Sequence, residues 1–284
     1  TSYGFTINAG TPTLTSVSVT GGQTAVTVNG SAAPTLASST ILNTLSGGIN
    51  YYTNGAALTS NITNTVVSGC GSYGVLAQAT SGSLTINLTN DTIHASGSRG
   101  VWAYANPGAS TTMNVKNSIV TQQSWGIYRD SGGGTQTINT TYSDVWGNTT
   151  ANYFSASAGA GSFSANPLYV AAPSNLRLTS NSPARFAGDN AADIGPLPYV
   201  SDATPGFHGT LWTNTTFNLA GSPYTLQGDM TVPAGVTVTI DPGVTLQWTS
   251  GSDIMGAGSD TARGELIVNG TLAANGTAAS PVVL

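Results

Sequence analysis

Apolar residues in this chain fall in short alternating runs, and none of the runs has the spacing or the length of an amphipathic helix. Between Gly48 and Asp130 the runs recur at a fixed interval. Gly48-Ile49-Asn50-Tyr51-Tyr52 is followed by Gly74-Val75-Leu76-Ala77-Gln78, Gly100-Val101-Trp102-Ala103-Tyr104 and Gly126-Ile127-Tyr128-Arg129-Asp130. The glycines are 26 residues apart each time, and the residue after each is β-branched. Each block holds a second apolar run, as in Ile62–Val66, Leu88–Ile93, Val115–Ile119 and Thr140–Val145, separated from the first by Gly, Ser, Thr and Asn. Short β-branched runs bounded by turn formers read as strands, and a period of this size marks a repeat architecture. Several strands of about five residues per repeat fit a coil that winds once and stacks on the next. The fold expected is therefore all-β, a right-handed parallel β-helix of about 26 residues per coil.

The period assigns side chains. Ile49, Val75, Val101 and Ile127 are expected to form one inward column, and Val66, Ile93, Ile119 and Val145 another. Side chains alternate along a strand, so Asn50, Leu76, Trp102 and Tyr128 should face outward. Tyr52, Gln78, Tyr104 and Asp130 follow two positions on. The outward stripe of Tyr52, Leu76, Trp102, Tyr104 and Tyr128 is the candidate binding or interface surface: either another segment or chain covers it, or it contacts a ligand.

Residues 1–155 read as the coils of this helix, with less regular early strands at Gly4–Asn8, Leu14–Val19, Ala25–Val28 and Ser38–Leu42. Residues 156–200 read as a closing segment, 201–208 as a proline-punctuated linker, and 209–284 as the opening coils of a second β-helix. Tyr142-Ser143-Asp144-Val145-Trp146-Gly147-Asn148, Asn166-Pro167-Leu168-Tyr169-Val170 and Ser182-Pro183-Ala184 through Gly188-Asp189 to Asp193-Ile194-Gly195 resemble the end of secreted bacterial right-handed β-helix repeat proteins. Arg185 and Phe186 depart from the aliphatic-acidic pair usual there. The resemblance covers roughly residues 40–200; it implies the fold and an extracellular or cell-surface setting and is nearly silent on activity. The segment from Gly209 onward is similar to the opening coils of the same family.

A finished helix thus precedes a freshly started one. Placing Ser280-Pro281-Val282-Val283-Leu284 before Thr1-Ser2-Tyr3-Gly4-Phe5 gives an uninterrupted run of β-helix sequence. Phe5, Ile7, Val282 and Leu284 are the expected end-to-end contacts, either within a tandem array or between copies that assemble into a filament; the alternative is an ordered fragment of a longer protein. The chain opens without Met and without a signal-peptide pattern, as expected of processed material or a slice of something longer.

Composition narrows the chemistry. Charged residues make up 6% of the 284, against about 25% in ordinary soluble domains. Lys116 is the only lysine and Glu265 the only glutamate. A basic footprint for nucleic acid is absent, and no apolar run is long enough for membrane insertion as a helix. Cys70 is the sole cysteine, which rules out an intrachain disulfide and reads as a filler within a Gly-Ser turn. His94 and His208 lack partners at metal-ligand spacing, so neither metal nor cofactor is expected.

Parallel β-helices also host polysaccharide lyases and hydrolases, which need clustered carboxylates. Arg129, Asp130 and Asp144, and the pair Asp189 and Asp193, are the nearest constellations, and no catalytic residue is assigned. The functional expectation is a structural or adhesive module, self-associating or joined to neighbouring modules. A glycan-binding or polysaccharide-degrading protein is the alternative. Thr237-Val238-Thr239 raises ice binding as a third reading, set against main coils in which no Thr pair is seen to repeat at one face position.

Overall fold

The computed structural model describes residues 4–201 and 206–284, the side chain of Ala56 apart. The chain is an all-β parallel solenoid of about nine turns in two compact units. The first unit comprises the chain up to Ser164 together with Phe186–Pro198; the second comprises Ala165–Arg185 and Tyr199–Leu284.

In the first unit each coil supplies three strand positions. The early coils hold β1 (Phe5–Ile7), β2 (Thr13–Thr15) and β3 (Ser18–Thr20), then β4 (Thr24–Asn29), β5 (Thr35–Ala37) and β6 (Thr40–Leu42). Next come β7 (Gly47–Thr63) with β8 (Val66–Ser68), and β9 (Tyr73–Thr89) with β10 (Thr92–His94). β11 (Arg99–Ala105), β12 (Ser110–Lys116) and β13 (Ile119–Thr121) precede β14 (Trp125–Arg129), β15 (Thr135–Thr141), β16 (Asp144–Trp146) and β17 (Ala151–Phe154). Three stacks result. The first runs β1-β4-β7-β9-β11-β14-β17; the second runs β2-β5-β7-β9-β12-β15; the third runs β3-β6-β8-β10-β13-β16. The long strands β7 and β9 pass through both of the first two stacks.

Ile49, Val75, Val101 and Ile127 pair in register and are fully buried. The glycine before each has a steric cause. A Cβ on Gly100 would stand 2.6 Å from Val120 Cγ1 and 2.7 Å from the Gly126 carbonyl oxygen; one on Gly74 would stand 2.4 Å from Ile93 Cγ2. The chain enters the first stack so close to the third-stack column that no side chain fits.

The second expected column needs correction. In the third stack Ile41, Val67, Ile93, Val120 and Val145 pair in register and belong to the core. Val66 pairs with Thr92, Thr92 with Ile119, and Ile119 with Asp144, on the adjacent row. Val66 and Ile119 therefore face away from the column that holds Ile93 and Val145. Val66 stands 27 residues before Ile93, and its partner at 26 is Thr92; Ile119 is misplaced by a strict period of 26 because one extra residue enters at the corner between Ala105 and Ser110, where Ser110 pairs with Ser83 at a separation of 27. It is taken back between Thr121 and Trp125, since Trp125 pairs with Arg99 at 26. The glycine spacing is untouched, yet a slip of one residue moves a side chain to the other face.

The outward row of Val66, Thr92 and Ile119 is buried nonetheless. Phe186–Pro198 returns to the first unit: Gly195 N–H donates to Asn117 O at 2.9 Å and Asp189 N–H to Asn117 Oδ1 at 2.8 Å. A Cβ on Gly195 would stand 2.9 Å from Thr92 Oγ1, and Ile194 is fully buried. Lys116 Nζ meets Asp189 Oδ2 at 2.6 Å, which ties the strap at its other end.

Each passage from the second to the third stack turns through a left-handed residue: Ser16, Ser38 and Tyr142 in the outer coils, and Asn64 (φ 51°), Asn90 (φ 58°) and Asn117 (φ 49°) in the middle ones, a conformation Asn tolerates better than most. The next residue caps the neighbouring coil from inside. Thr65 N–H donates to Asp91 Oδ1 at 2.8 Å, Asp91 N–H to Ser118 Oγ at 3.1 Å, and Ser118 N–H to Ser143 Oγ at 3.1 Å.

The second unit has less uniform coils. Within it β18 (Tyr169–Ala171) and β19 (Asn175–Leu178) form an antiparallel pair. β20 (Gly209–Thr210), β21 (Thr215–Phe217) and β22 (Tyr224–Leu226) are followed by β23 (Met230–Val232), β24 (Thr237–Ile240) and β25 (Leu246–Trp248), then β26 (Leu266–Val268) and β27 (Thr271–Ala274). Gly209 pairs with Met230 at a separation of 21, whereas Met230 pairs with Leu266 at 36, because residues 249–265 form a loop between β25 and β26. The stretch 156–200 is thus shared: residues up to Ser164 and Phe186–Pro198 pack with the first unit, while Ala165–Arg185 packs with the second. Residues 1–3 of the proposed end join and 202–205 of the linker lie outside the described residues.

Candidate functional site: an aromatic patch with a central arginine

On the outer side of the first stack, Asn50, Leu76, Trp102, Tyr128 and Phe154 pair in register on β7, β9, β11, β14 and β17. The strand alternation that sends Val101 inward sends Trp102 outward. Three residues earlier, just before the repeat glycines, Tyr73, Arg99 and Trp125 form a parallel row. The rows interlock. The Tyr73 and Trp102 rings meet edge-on at 6.0 Å, Trp102 and Tyr128 at 6.3 Å, and Trp125 and Tyr128 at 5.6 Å. Tyr128 and Phe154 stack at 4.7 Å with 7° between their planes.

Arg99 occupies the centre. Its Cζ lies 4.2 Å from the Trp102 ring centroid, 4.4 Å from that of Tyr128 and 5.5 Å from that of Trp125. A guanidinium so placed is attracted by the ring faces. One of its terminal nitrogens donates to Ser98 Oγ at 3.3 Å, while Nε has no hydrogen-bond partner in the structure. Trp102 Nε1 donates to Asp130 Oδ2 at 3.0 Å, which fixes the indole plane.

Of the five residues of the expected stripe, Trp102, Tyr104 and Tyr128 are half-buried on the outer surface and Tyr52 is 38% exposed. Leu76 needs correction: it lies on the outward row but only 6% of it is exposed, so it belongs to the floor. Sequence spacing missed Tyr73, Arg99, Trp125 and Phe154. The first three stand one residue before the repeat glycines, at a constant 26, which is a signal the chain does carry.

The other candidate groups do not converge. Asp130 is held by Trp102, Asp144 is fully buried on the Val66 row, and Arg129 Nε donates to Ser155 O. Asp189 is tied to Lys116, and Asp193 Oδ1 accepts from Phe186 N–H at 3.2 Å. His94 is buried with Nδ1 3.0 Å from Thr121 Oγ1, and burial pushes its pKa and that of His208 down. Cys70 sits in the core, where desolvation pushes its thiol up. Among the described residues no group of three His, Cys, Asp or Glu is arranged to hold a metal ion, and no helix is long and apolar enough to cross a membrane.

At the termini, Phe5 and Ile7 pack on the rim of the first unit's core and Val282 on that of the second, while Leu284 is 64% exposed. Among the described residues β1, β2 and β3 pair on one side only, as do β26 and β27.

A further surface emerges from the register of the second stack. Thr59, Thr85, Thr112 and Thr137 align, as do Asn61, Asn87, Asn114 and Asn139. No Thr pair repeats along these strands, but a single Thr position does, and the 27-residue and 25-residue steps around β12 hide it from a fixed period. Comparison with family models, with curated proteins and with solved structures gives no match for this chain, so it is the geometry that defines it as a β-solenoid of the parallel β-helix type.

Proposed function

We propose that the chain is an adhesive module of an extracellular or cell-surface protein, a non-catalytic scaffold whose outer aromatic patch binds carbohydrate. The observation that carries this is the interlocked set of Tyr73, Trp102, Trp125 and Tyr128 around Arg99. Aromatic rings offer flat apolar area to the C–H faces of a sugar, and the terminal nitrogens of a guanidinium offer donors to its oxygens. A polysaccharide-cleaving role would call for two facing carboxylates, and among the described residues Asp130 is the carboxylate hydrogen-bonded to the patch. A glycan array probed with the full chain tests the reading. Retention of a defined glycan set that Trp102→Ala abolishes supports it; no binding by the folded chain, or binding indifferent to Trp102→Ala, overturns it. Release of reducing ends would favour the enzyme.

A second reading rests on a different observation. Among the described residues β1, β2 and β3, and β26 and β27, pair on one side only, and a strand edge of that kind is a template for adding another strand. It supports rung-on-rung continuation into like modules, within one parent chain or between copies. Negative-stain microscopy across a concentration series distinguishes them. Fibres with an axial repeat near the length of one chain's stacked coils support assembly between copies; dispersed particles at every concentration leave only continuation within one chain.

A further inference from the structure

The outer side of the second stack is built differently from the aromatic patch. Between β7 and β9, β9 and β12, and β12 and β15 the pairing runs without a register shift from Ala57, Ser83, Ser110 and Thr135 to Thr63, Thr89, Lys116 and Thr141. The inward residues there are Leu84, Ile86, Leu88, Met113 and Val115, all buried. The alternate positions therefore project outward as rows across the coils. One row is all threonine: Thr59, Thr85, Thr112 and Thr137. The next is Asn61, Asn87, Asn114 and Asn139. The third is Thr63, Thr89, Lys116 and Thr141, whose one charge is paired with Asp189.

The asparagines are locked to each other. Asn87 Nδ2 donates to Asn61 Oδ1 at 2.8 Å, Asn114 Nδ2 to Asn87 Oδ1 at 2.8 Å, and Asn139 Nδ2 to Asn114 Oδ1 at 2.9 Å. Each amide keeps further hydrogen-bonding capacity. The flanking threonines are stiff at χ1 because they are β-branched. The surface is thus a two-dimensional lattice of immobilised hydroxyl, methyl and amide groups. Its repeat is set by the backbone, about 4.8 Å from coil to coil and about 6.7 Å from one outward residue to the next along a strand.

What partner fits such a surface? It has no aromatic or Arg anchor of the kind that dominates protein interfaces. It has no unpaired charge to hold an ion or a polyelectrolyte. Its defining property is periodicity in two directions with hydrogen-bonding groups at every node, so it is matched by a partner that is itself a hydrogen-bonded lattice. We propose that this Thr/Asn face binds ice. The hydroxyls and amides hold first-layer waters at spacings of the same order as the water repeat of hexagonal ice. The Thr methyls hold those waters away from competing orientations. Ordered waters bridge two polar surfaces nearly as well as direct hydrogen bonds, and the rigid side chains lose little further freedom on contact.

The test uses the full chain, measuring retention in slowly growing ice and inhibition of ice recrystallisation. The expected result is enrichment in the ice fraction and small, stable crystals. Thr85→Lys with Thr112→Lys should abolish both while leaving the circular-dichroism melt unchanged, since these side chains face outward. Gln247→Lys, exposed on the second unit, adds one charge elsewhere and should change neither. Exclusion of the folded chain from ice overturns the proposal, as does an ice effect that persists in the folded double-lysine variant. Adsorption to crystalline cellulose with no effect on ice also overturns it and assigns the lattice to a solid polysaccharide.

Discussion

Two rows of side chains stand one residue apart on the same strands of the first stack. The inward row, Ile49, Val75, Val101 and Ile127, is aliphatic throughout and fully buried. The outward row, Asn50, Leu76, Trp102, Tyr128 and Phe154, runs from amide to indole. Both rows have the same backbone and the same neighbours. The difference is what lies beyond the Cβ. Inside, each side chain touches the coils above and below and the column of the third stack, so only a narrow range of volumes fits. Outside, size is free and chemistry is what varies, so the outward rows are where function is sought.

Breaking the inward row should have the largest effect. Val101→Asp places a carboxylate in a fully dry column, and the cost of an uncompensated buried charge is about 4 kcal/mol. The expected outcome is loss of the middle coils, seen as a lower, broader melt. Smaller but still large is Gly100→Ala, whose new methyl meets Val120 and the Gly126 carbonyl; overpacking of this kind costs about 1–3 kcal/mol. Chemical denaturation should show it as a reduced midpoint. A wild-type midpoint would mean that the corner can relax away from the column.

A buried position between the two extremes gives a stabilising prediction. On the internal capping row, Ser39, Thr65, Ser118 and Ser143 each donate a hydroxyl proton to the carbonyl two residues back, at 2.8–3.0 Å. Asp91 takes the same place, is almost fully buried, and its Oδ2 has no hydrogen-bond partner. Burial pushes its pKa well above the ordinary carboxylate range. The folded state therefore binds this proton more tightly than the unfolded chain. Stability contributed by the neutral acid is present below the unfolded carboxylate pKa and falls as pH rises toward the folded value. Asp91→Ser should restore the hydroxyl of the row, raise the melting temperature at neutral pH and flatten its pH dependence. Parallel melting curves for both proteins across that range would show that Asp91 is not the titrating group.

The smallest effect on stability is expected outside. Trp102→Ala removes one Arg99 contact, the edge contacts with Tyr73 and Tyr128 and one hydrogen bond to Asp130, about 1–2 kcal/mol together on a half-exposed surface. Its melt should stay near wild type while glycan retention is lost. A collapse comparable to that of Val101→Asp would make the patch part of the packing instead of a binding surface.

The period of 26, the all-β class and the first aliphatic column were legible in the sequence because alternation and turn residues act locally. Gly48, Gly74, Gly100 and Gly126 announce the repeat, and Ile49, Val75, Val101 and Ile127 follow from it. What the sequence alone could not settle is the register wherever a corner gains and then loses a residue. Ile119 falls on the wrong row for that reason, and the Thr59, Thr85, Thr112 and Thr137 row stays hidden. Hydrogen bonding between coils aligns strands regardless of how many residues the corners hold, so only the folded stack decides which side chains become neighbours. The same holds for Phe186–Pro198, whose return onto the Thr92 and Ile119 row depends on contacts more than 65 residues apart in sequence. Arg99 among its rings is a further case: the sequence supplies the residues at a constant spacing, and stacking alone brings them within contact of one another.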